Sequence, residues 1–426
     1  MIYVSVALLV TILGLNYKYL GDHYTIFNPV SFSIYVWILV LLMHCYLFDS
    51  TDYTSVAYCI VAFGNAALAI GFWLFAKRKI TFFIRKPQIK RNKQYDMDKL
   101  RTLLFGFMLI EIVRLLYSIY LVVYKLAGSW NMFLTNATYV RKMYLAYNGG
   151  VVTNVFEFFC NANALIAYVI VGILLSDKDR KKKNLCLFAI WSACEMAYAL
   201  ITMSKMCFIL YVIVVATVYI NNIESRQEQR KMIRRYLPAL AVCIFVFLMI
   251  IGMQRNYGQN DESLLDAVFT KIGIYFSGPT EALGKYINNY QESFYFGGKT
   301  FNVVARIFSR LGMNENVAVL AHGEDIDIGY DSINAYTWFK VFFQDFSYAG
   351  VILLPLLIGI LAGIFYNKGD HSFSRITCNA WLTAIIVMSF YTFMFGQTIY
   401  IFILIYAYIL ERVLKAKMYI KQEIVS

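Results

Sequence analysis

The sequence predicts an all-α polytopic membrane protein of about eleven transmembrane helices, with a large outward-facing loop before the ninth. Three observations predict it. Sixty per cent of the 426 residues are apolar, only 15% are charged and the mean hydropathy is +0.58, whereas a soluble domain carries about a quarter charged residues. Apolar runs recur along the whole chain, most of them long enough to cross a hydrocarbon layer of about 30 Å. The net charge of +13 is concentrated in short connections between those runs, the placement expected of membrane topology rather than of a nucleic-acid-binding surface.

In order, the runs fall near 1–15, 30–48, 54–76, 102–124, 153–175, 185–203, 206–220, 237–253, 348–366, 376–395 and 397–413. The first has no basic region before it and no small-residue cleavage site after it, so it reads as a span rather than a removed leader. Residues 185–220 as one helix would measure about 54 Å, too long for one crossing, which predicts a tight hairpin at Ser204 and Lys205. The run at 348–366 has 19 residues and no charge, which gives about 28 Å of helix. Gly359 and Gly363 within it form a small-x-x-x-small pair for close approach of another helix, and Pro355 is tolerable where neighbours satisfy the freed carbonyl. All eight cysteines lie in or beside apolar runs without a C-x-x-C pair, so neither a zinc site nor a disulfide framework is expected.

Charge sets the predicted orientation. The connections 77–101, 176–184, 221–236, 367–375 and 411–426 together hold 26 basic and nine acidic residues, and all of them can be cytoplasmic at once. The complementary connections are 49–53, 124–152 and 254–347. The last has 94 residues with seven basic and eleven acidic, is too long for a connector, and is expected outside with structure of its own. Ser263 and Asp266 have the form of a capping box before an amphipathic stretch, the segment Ser277-Gly-Pro-Thr280 is expected to break that helix, and Thr280 to cap the next. A short helix near 302–311 would place Arg306 and Arg310 on one face. The chain is expected to be a single membrane domain over 1–426, with 254–347 a part of it.

Several side chains are candidates for chemistry. Glu111 and Arg114 are three apart in the fourth span and can pair on one helix face. Glu195 in the sixth span is costly in lipid and must face a partner or a wet cavity, and Glu157 lies one turn inside the fifth span. His44 reads as an ordinary interfacial histidine; His23 and His371 carry no signal; His322 sits among acids. Glu324, Asp325, Asp327 and Asp331 lack the full calcium-loop spacing. No phosphate-binding glycine loop, dinucleotide fingerprint or H-E-x-x-H motif is present, so neither a nucleotide cofactor nor a metal is expected. The cations expected on the outer side, Arg141, Lys142, Lys205, Arg255, Arg306 and Arg310, run against the inside-positive bias, and arginine forks match the oxygens of a diphosphate.

Asn334, Tyr336, Thr337, Asp345, Phe346, Gly350 and Gly359 resemble the late-chain signature of the bacterial oligosaccharide repeat-unit polymerases, the O-antigen polymerase (Wzy-like) family. Arg141 is similar to the arginine that this family places before its fifth or sixth span, and 275–279 to its outer-loop tyrosine-glycine segment. Lys205 departs from the arginine more usual there, keeping charge but losing the bidentate fork. The resemblance implies a glycosyltransferase of the cytoplasmic (inner) membrane with its active site on the outer face. It would join undecaprenyl-diphosphate-linked repeat units into an O-antigen or capsule polysaccharide of the cell envelope, beside a flippase and a chain-length regulator. Arg141, Arg255, Lys205, Arg306 and Arg310 would hold the diphosphate, and Glu281, His322 or Asp345 would serve as general base. The alternatives are an O-antigen ligase-like transferase, which passes the glycan to another acceptor, and a lipid-linked oligosaccharide flippase or transporter.

Overall fold

The computed structural model describes residues 1–21, 24–48, 52–77, 97–147, 150–177, 180–223, 227–235, 264–289, 297–312, 326–329, 332–333, 335–366 and 372–423, with isolated positions between 242 and 250. The protein is all-α and polytopic, with one two-residue antiparallel bridge, Ile326–Asp327 (β1) to Ser332–Ile333 (β2). Eight described helices are long and apolar enough to cross a membrane, against the eleven expected. Met206–Asn222 is shorter than that, 237–253 lies almost wholly outside the described residues, and the expected last run continues into a helix that carries its charges. The chain forms two compact units, residues 1–90 with 273–404, and 91–272 with 405–426.

The first unit begins with α1 (Ile2–Leu20), α2 (Pro29–Leu47) and α3 (Asp52–Ala76). Asn28 starts α2 because its side chain accepts from the Ser31 amide while Pro29 occupies the first turn, where a missing N–H costs nothing. Asn16 donates to Asn28 at 3.2 Å and to Ser31 at 2.7 Å, and accepts from Trp73 Nε1 at 2.7 Å, so these three helices are tied by a buried polar network. The unit continues with part of α11 (Leu264–Asn288), then α12 (Asn302–Arg310), α13 (Trp338–Tyr366), α14 (Phe373–Val387) and the start of α15 (Thr398–Glu423). The segment Ser277-Gly-Pro-Thr280 does not break α11: the helix runs through Pro279. Ser277 Oγ donates to the Gly273 carbonyl at 2.7 Å, and Ser277 to Leu283 are all buried, so packing holds a helix that the residue types alone would end. Thr280 therefore caps nothing.

α13 is two helices joined at a break. Phe346 and Ser347 leave helical geometry, with Ser347 at φ 55°, a region unfavourable for a residue with a Cβ. The second half therefore starts at Tyr348, where the uncharged run begins. The first half, 338–345, turns back against it, since a Cβ on Gly350 would collide with the Phe342 carbonyl. Phe339 lies against Gly64 and 5.8 Å from Trp37, halfway along α3 and α2, so this half enters the bundle and returns. The second half packs on α3 backbone to backbone. Cβ atoms on Gly359 and on Gly71 would strike the carbonyls of Leu68 and Leu356, and one on Gly363 would lie 2.6 Å from the Phe72 carbonyl. The glycine pair thus serves the close approach that its spacing predicts.

The second unit contains α4 (Met97–Ile119), extended by a π-helical stretch Tyr120–Leu126, then α5 (Trp130–Thr135), α6 (Ala137–Ala146), α7 (Gly150–Ser176), α8 (Lys181–Ile201), α9 (Lys205–Asn222) and α10 (227–235). At one end Arg101 joins Asp98, Asp177 and Asn184 at 2.8–2.9 Å, clamping the start of α4, the end of α7 and the start of α8. At the other, α8 stops at Ile201 and α9 starts at Lys205, with Met203 at φ 51° and the Ser204 amide donating to the Ala199 carbonyl at 2.9 Å. This is the predicted hairpin. Val122, Val123, Phe133, Ala137, Val140, Ile201 and Met203 form one apolar cluster that seats α5 and α6 on that end.

Candidate functional site

In the first unit a polar chain closes the C-terminal end of α2 and the N-terminal end of α3. Glu281 of α11 is 3% exposed and His44 of α2 is 0%. Tyr53 donates to Glu281 Oε1 at 2.8 Å, and His44 Nε2 lies 3.2 Å from Oε2. That second approach lies outside hydrogen-bond geometry, so Oε2 has no donor among the described residues. His44 Nδ1 is 2.8 Å from the Tyr58 hydroxyl, and Lys285 Nζ stands 3.8 Å from Oε1. Such an arrangement can orient a carboxylate and leave one oxygen to accept a proton. The backbone needs this packing, because a Cβ on Gly284 would lie 2.8 Å from the Tyr53 carbonyl.

Asp345, 0% exposed, ends the first half of α13. Its two oxygens accept the amides of Lys299 at 3.1 Å and Thr300 at 2.5 Å, in the turn that leads into α12. Those bonds hold a turn of the long polar segment against the helix break. Beside it, Lys340 is buried with its ammonium 3.4 Å from the ring centre of Tyr336 and 4.4 Å from that of Tyr286, and Gln344 donates to the Tyr286 hydroxyl at 2.5 Å.

The second unit holds the other cluster. Arg114 Nη1 donates to both oxygens of Glu111 at 3.0 and 2.9 Å and lies 3.8 Å from Glu195 Oε1, while its guanidinium stacks 3.5 Å from the centre of the Tyr198 ring. Two carboxylates therefore share one buried guanidinium. Near the α8–α9 turn, Arg141 of α6 donates to the Thr202 carbonyl at 2.6 Å and its guanidinium lies 5.6 Å from the Tyr144 ring. Burial, with Glu157 nearby, pushes the Tyr144 phenol up, so it stays a neutral hydroxyl.

Among the expected diphosphate ligands, Arg141 meets the turn where α9 begins at Lys205. Arg306 is exposed on α12, and Arg310 ends that helix. The side chains of Lys205 and Arg310 lie outside the described residues, as do Arg255, His322, Glu324, Asp325, Asp331 and Asn334. Asp327 Oδ1 accepts from the Gly329 amide at 2.7 Å. Among the described residues no group of three His, Cys, Asp or Glu side chains is placed to hold a metal.

His44 is the residue that sequence reasoning passed over. Its partner is 237 positions away, and no local spacing signals the pair. The only hint was its place at the end of an apolar run that needs no histidine. No family model, no curated protein and no solved structure matches the chain.

Proposed function

We propose that this multi-pass membrane protein is an outer-leaflet glycosyltransferase that polymerises undecaprenyl-diphosphate-linked oligosaccharide repeat units into a surface polysaccharide. The late-chain resemblance supports the reading, and one geometric observation carries it: Glu281 is held by Tyr53 beside the buried His44, with one buried oxygen lacking a donor among the described residues. In this reading Glu281 accepts the proton of the acceptor sugar hydroxyl as that oxygen bonds to the donor sugar. The bond between that sugar and its diphosphate breaks, and the diphosphate leaves with the electron pair, its charge stabilised by cationic side chains. Asp345 already has two amides to hold, which favours Glu281 over it as the base.

The test is chain length in cells and in proteoliposomes. Glu281→Gln keeps the shape and the Tyr53 contact but removes the base, and is expected to lower elongation of lipid-linked repeat units by about 10²–10⁴-fold. The surface glycan should collapse toward a single repeat unit while export of that unit continues. Long chains accumulating on the lipid carrier would indicate a ligase instead, and single units trapped on the inner leaflet a flippase. Normal chain length at normal protein level would overturn the assignment of Glu281.

A further inference from the structure

α12 carries its apolar residues on the wrong face for a segment that lives in water. Phe301, Val304, Ile307, Phe308 and Leu311 recur at helical spacing and are 46–68% exposed, while Asn302, on another side of the same helix, is fully buried. Arg306 is exposed as well, and the register puts it on the side away from the apolar stripe.

The height of this helix is fixed by the residues before it. Its leading turn hangs from the carboxylate of Asp345 through the amides of Lys299 and Thr300. A Cβ on Gly297 would lie 3.1 Å from the Phe301 ring and 3.2 Å from the Phe346 ring. Asp345 and Phe346 immediately precede Tyr348, where the uncharged second half of α13 begins its crossing. The start of α12 is therefore tied to the end of a membrane span, the level at which acyl chains give way to headgroups.

We propose that α12 is an interfacial helix lying in the plane of the bilayer, with Val304, Ile307, Phe308 and Leu311 sunk into the acyl boundary of the lipid and Arg306 turned toward the headgroups and water. The partner is the lipid surface itself. Basic residues on the polar face of such a helix suit phosphate-bearing headgroups. This placement does not depend on the transferase reading. It gives the long polar segment a fixed seat on the membrane.

Single cysteines at Val304, Ile307, Phe308 and Arg306, in the full chain with its native cysteines replaced, would carry nitroxide labels in phospholipid nanodiscs. Collision rates are then measured with oxygen, which partitions into lipid, and with a water-soluble nickel chelate. Labels at 304, 307 and 308 are expected to favour oxygen several-fold, and the label at 306 the nickel chelate. All four positions are at least partly open, so labelling leaves the packing intact, and the three apolar sites check one another. Preference for nickel at the apolar sites would overturn the proposal by placing the stripe in water. Shielding from both reagents would overturn it by showing a protein cover, including a second copy of this chain. Failure of glycan elongation bears on the proposed function alone and leaves this result untouched.

Discussion

Arg114 faces the carboxyl groups of two helices. It makes two hydrogen bonds to Glu111, and Glu195 Oε1 stands 3.8 Å away. Removing the cation leaves Glu111 buried without its ion-pair partner, so Arg114→Leu is expected to destabilise the protein by about 3–5 kcal/mol, read as loss of folded protein in detergent melts. Glu195→Gln, in contrast, keeps the side chain's shape and leaves the Arg114–Glu111 pair intact, and should change the melting temperature far less; the opposite ranking of these two variants would contradict the pairing. Arg141 presents a different case, because its bond to the Thr202 carbonyl fixes the guanidinium over the α8–α9 turn. If it also binds a diphosphate, Arg141→Ala loses charge-assisted bonds of roughly 1.5–3 kcal/mol, a ten- to hundredfold loss of elongation rate. Arg141→Lys should recover only part of it, because the fork is gone. Full activity of the lysine variant would reduce Arg141 to a point charge.

At the scale of elements, the α3–α13 contact depends on missing side chains. A methyl on Gly359 meets the Leu68 carbonyl, which is helix backbone and cannot swing aside. Gly359→Ala should therefore part the helices at a cost of about 1–3 kcal/mol or more. Gly14 in α1 has nothing within 4 Å of an added Cβ, so Gly14→Ala should be neutral or stabilise by roughly 0.5–1 kcal/mol through helix propensity. Comparable yields and melting temperatures for the two variants would refute the close packing. The legibility of these elements follows the same physics. The small-x-x-x-small pair, the hairpin at Ser204 and the start at Tyr348 were readable because each is set by local spacing. The continuity of α11 through Pro279 was not readable, because helix neighbours bury 277–283 and supply what the residue types withhold.

For the whole molecule the prediction concerns orientation. The charge distribution expects 77–101 and 221–236 inside and 254–347 outside. Cysteines in the first two regions of a cysteine-free chain should resist an impermeant thiol reagent in intact cells, and one at Gly298 should react. Gly298 is the better probe than Gly297, which is buried at φ 91° between Phe301 and Phe346. Reversed labelling would invert the molecule and remove the outer-leaflet assignment. Elongation by purified protein in lipid is expected to persist in excess chelator. Its abolition, with restoration by one divalent ion, would turn attention to Glu324, Asp325, Asp327 and Asp331.

Composition and periodicity alone determined that this chain is helical and polytopic, because hydrocarbon demands long uncharged runs whose backbone groups are satisfied within each helix. They also singled out the Glu111–Arg114 pair, Glu195 and Arg141 as charges within or beside apolar sequence, whereas Glu281 and Asp345 entered as candidate bases only through the family resemblance. What each of them touches was decided by the tertiary structure. His44 meets Glu281, Asp345 meets the turn before α12, and Glu195 joins Arg114 only when helices distant in sequence pack side by side. Spacing along one chain carries the period of a helix but no record of which helix lies opposite, and the chemistry of a buried charge is set by that neighbour.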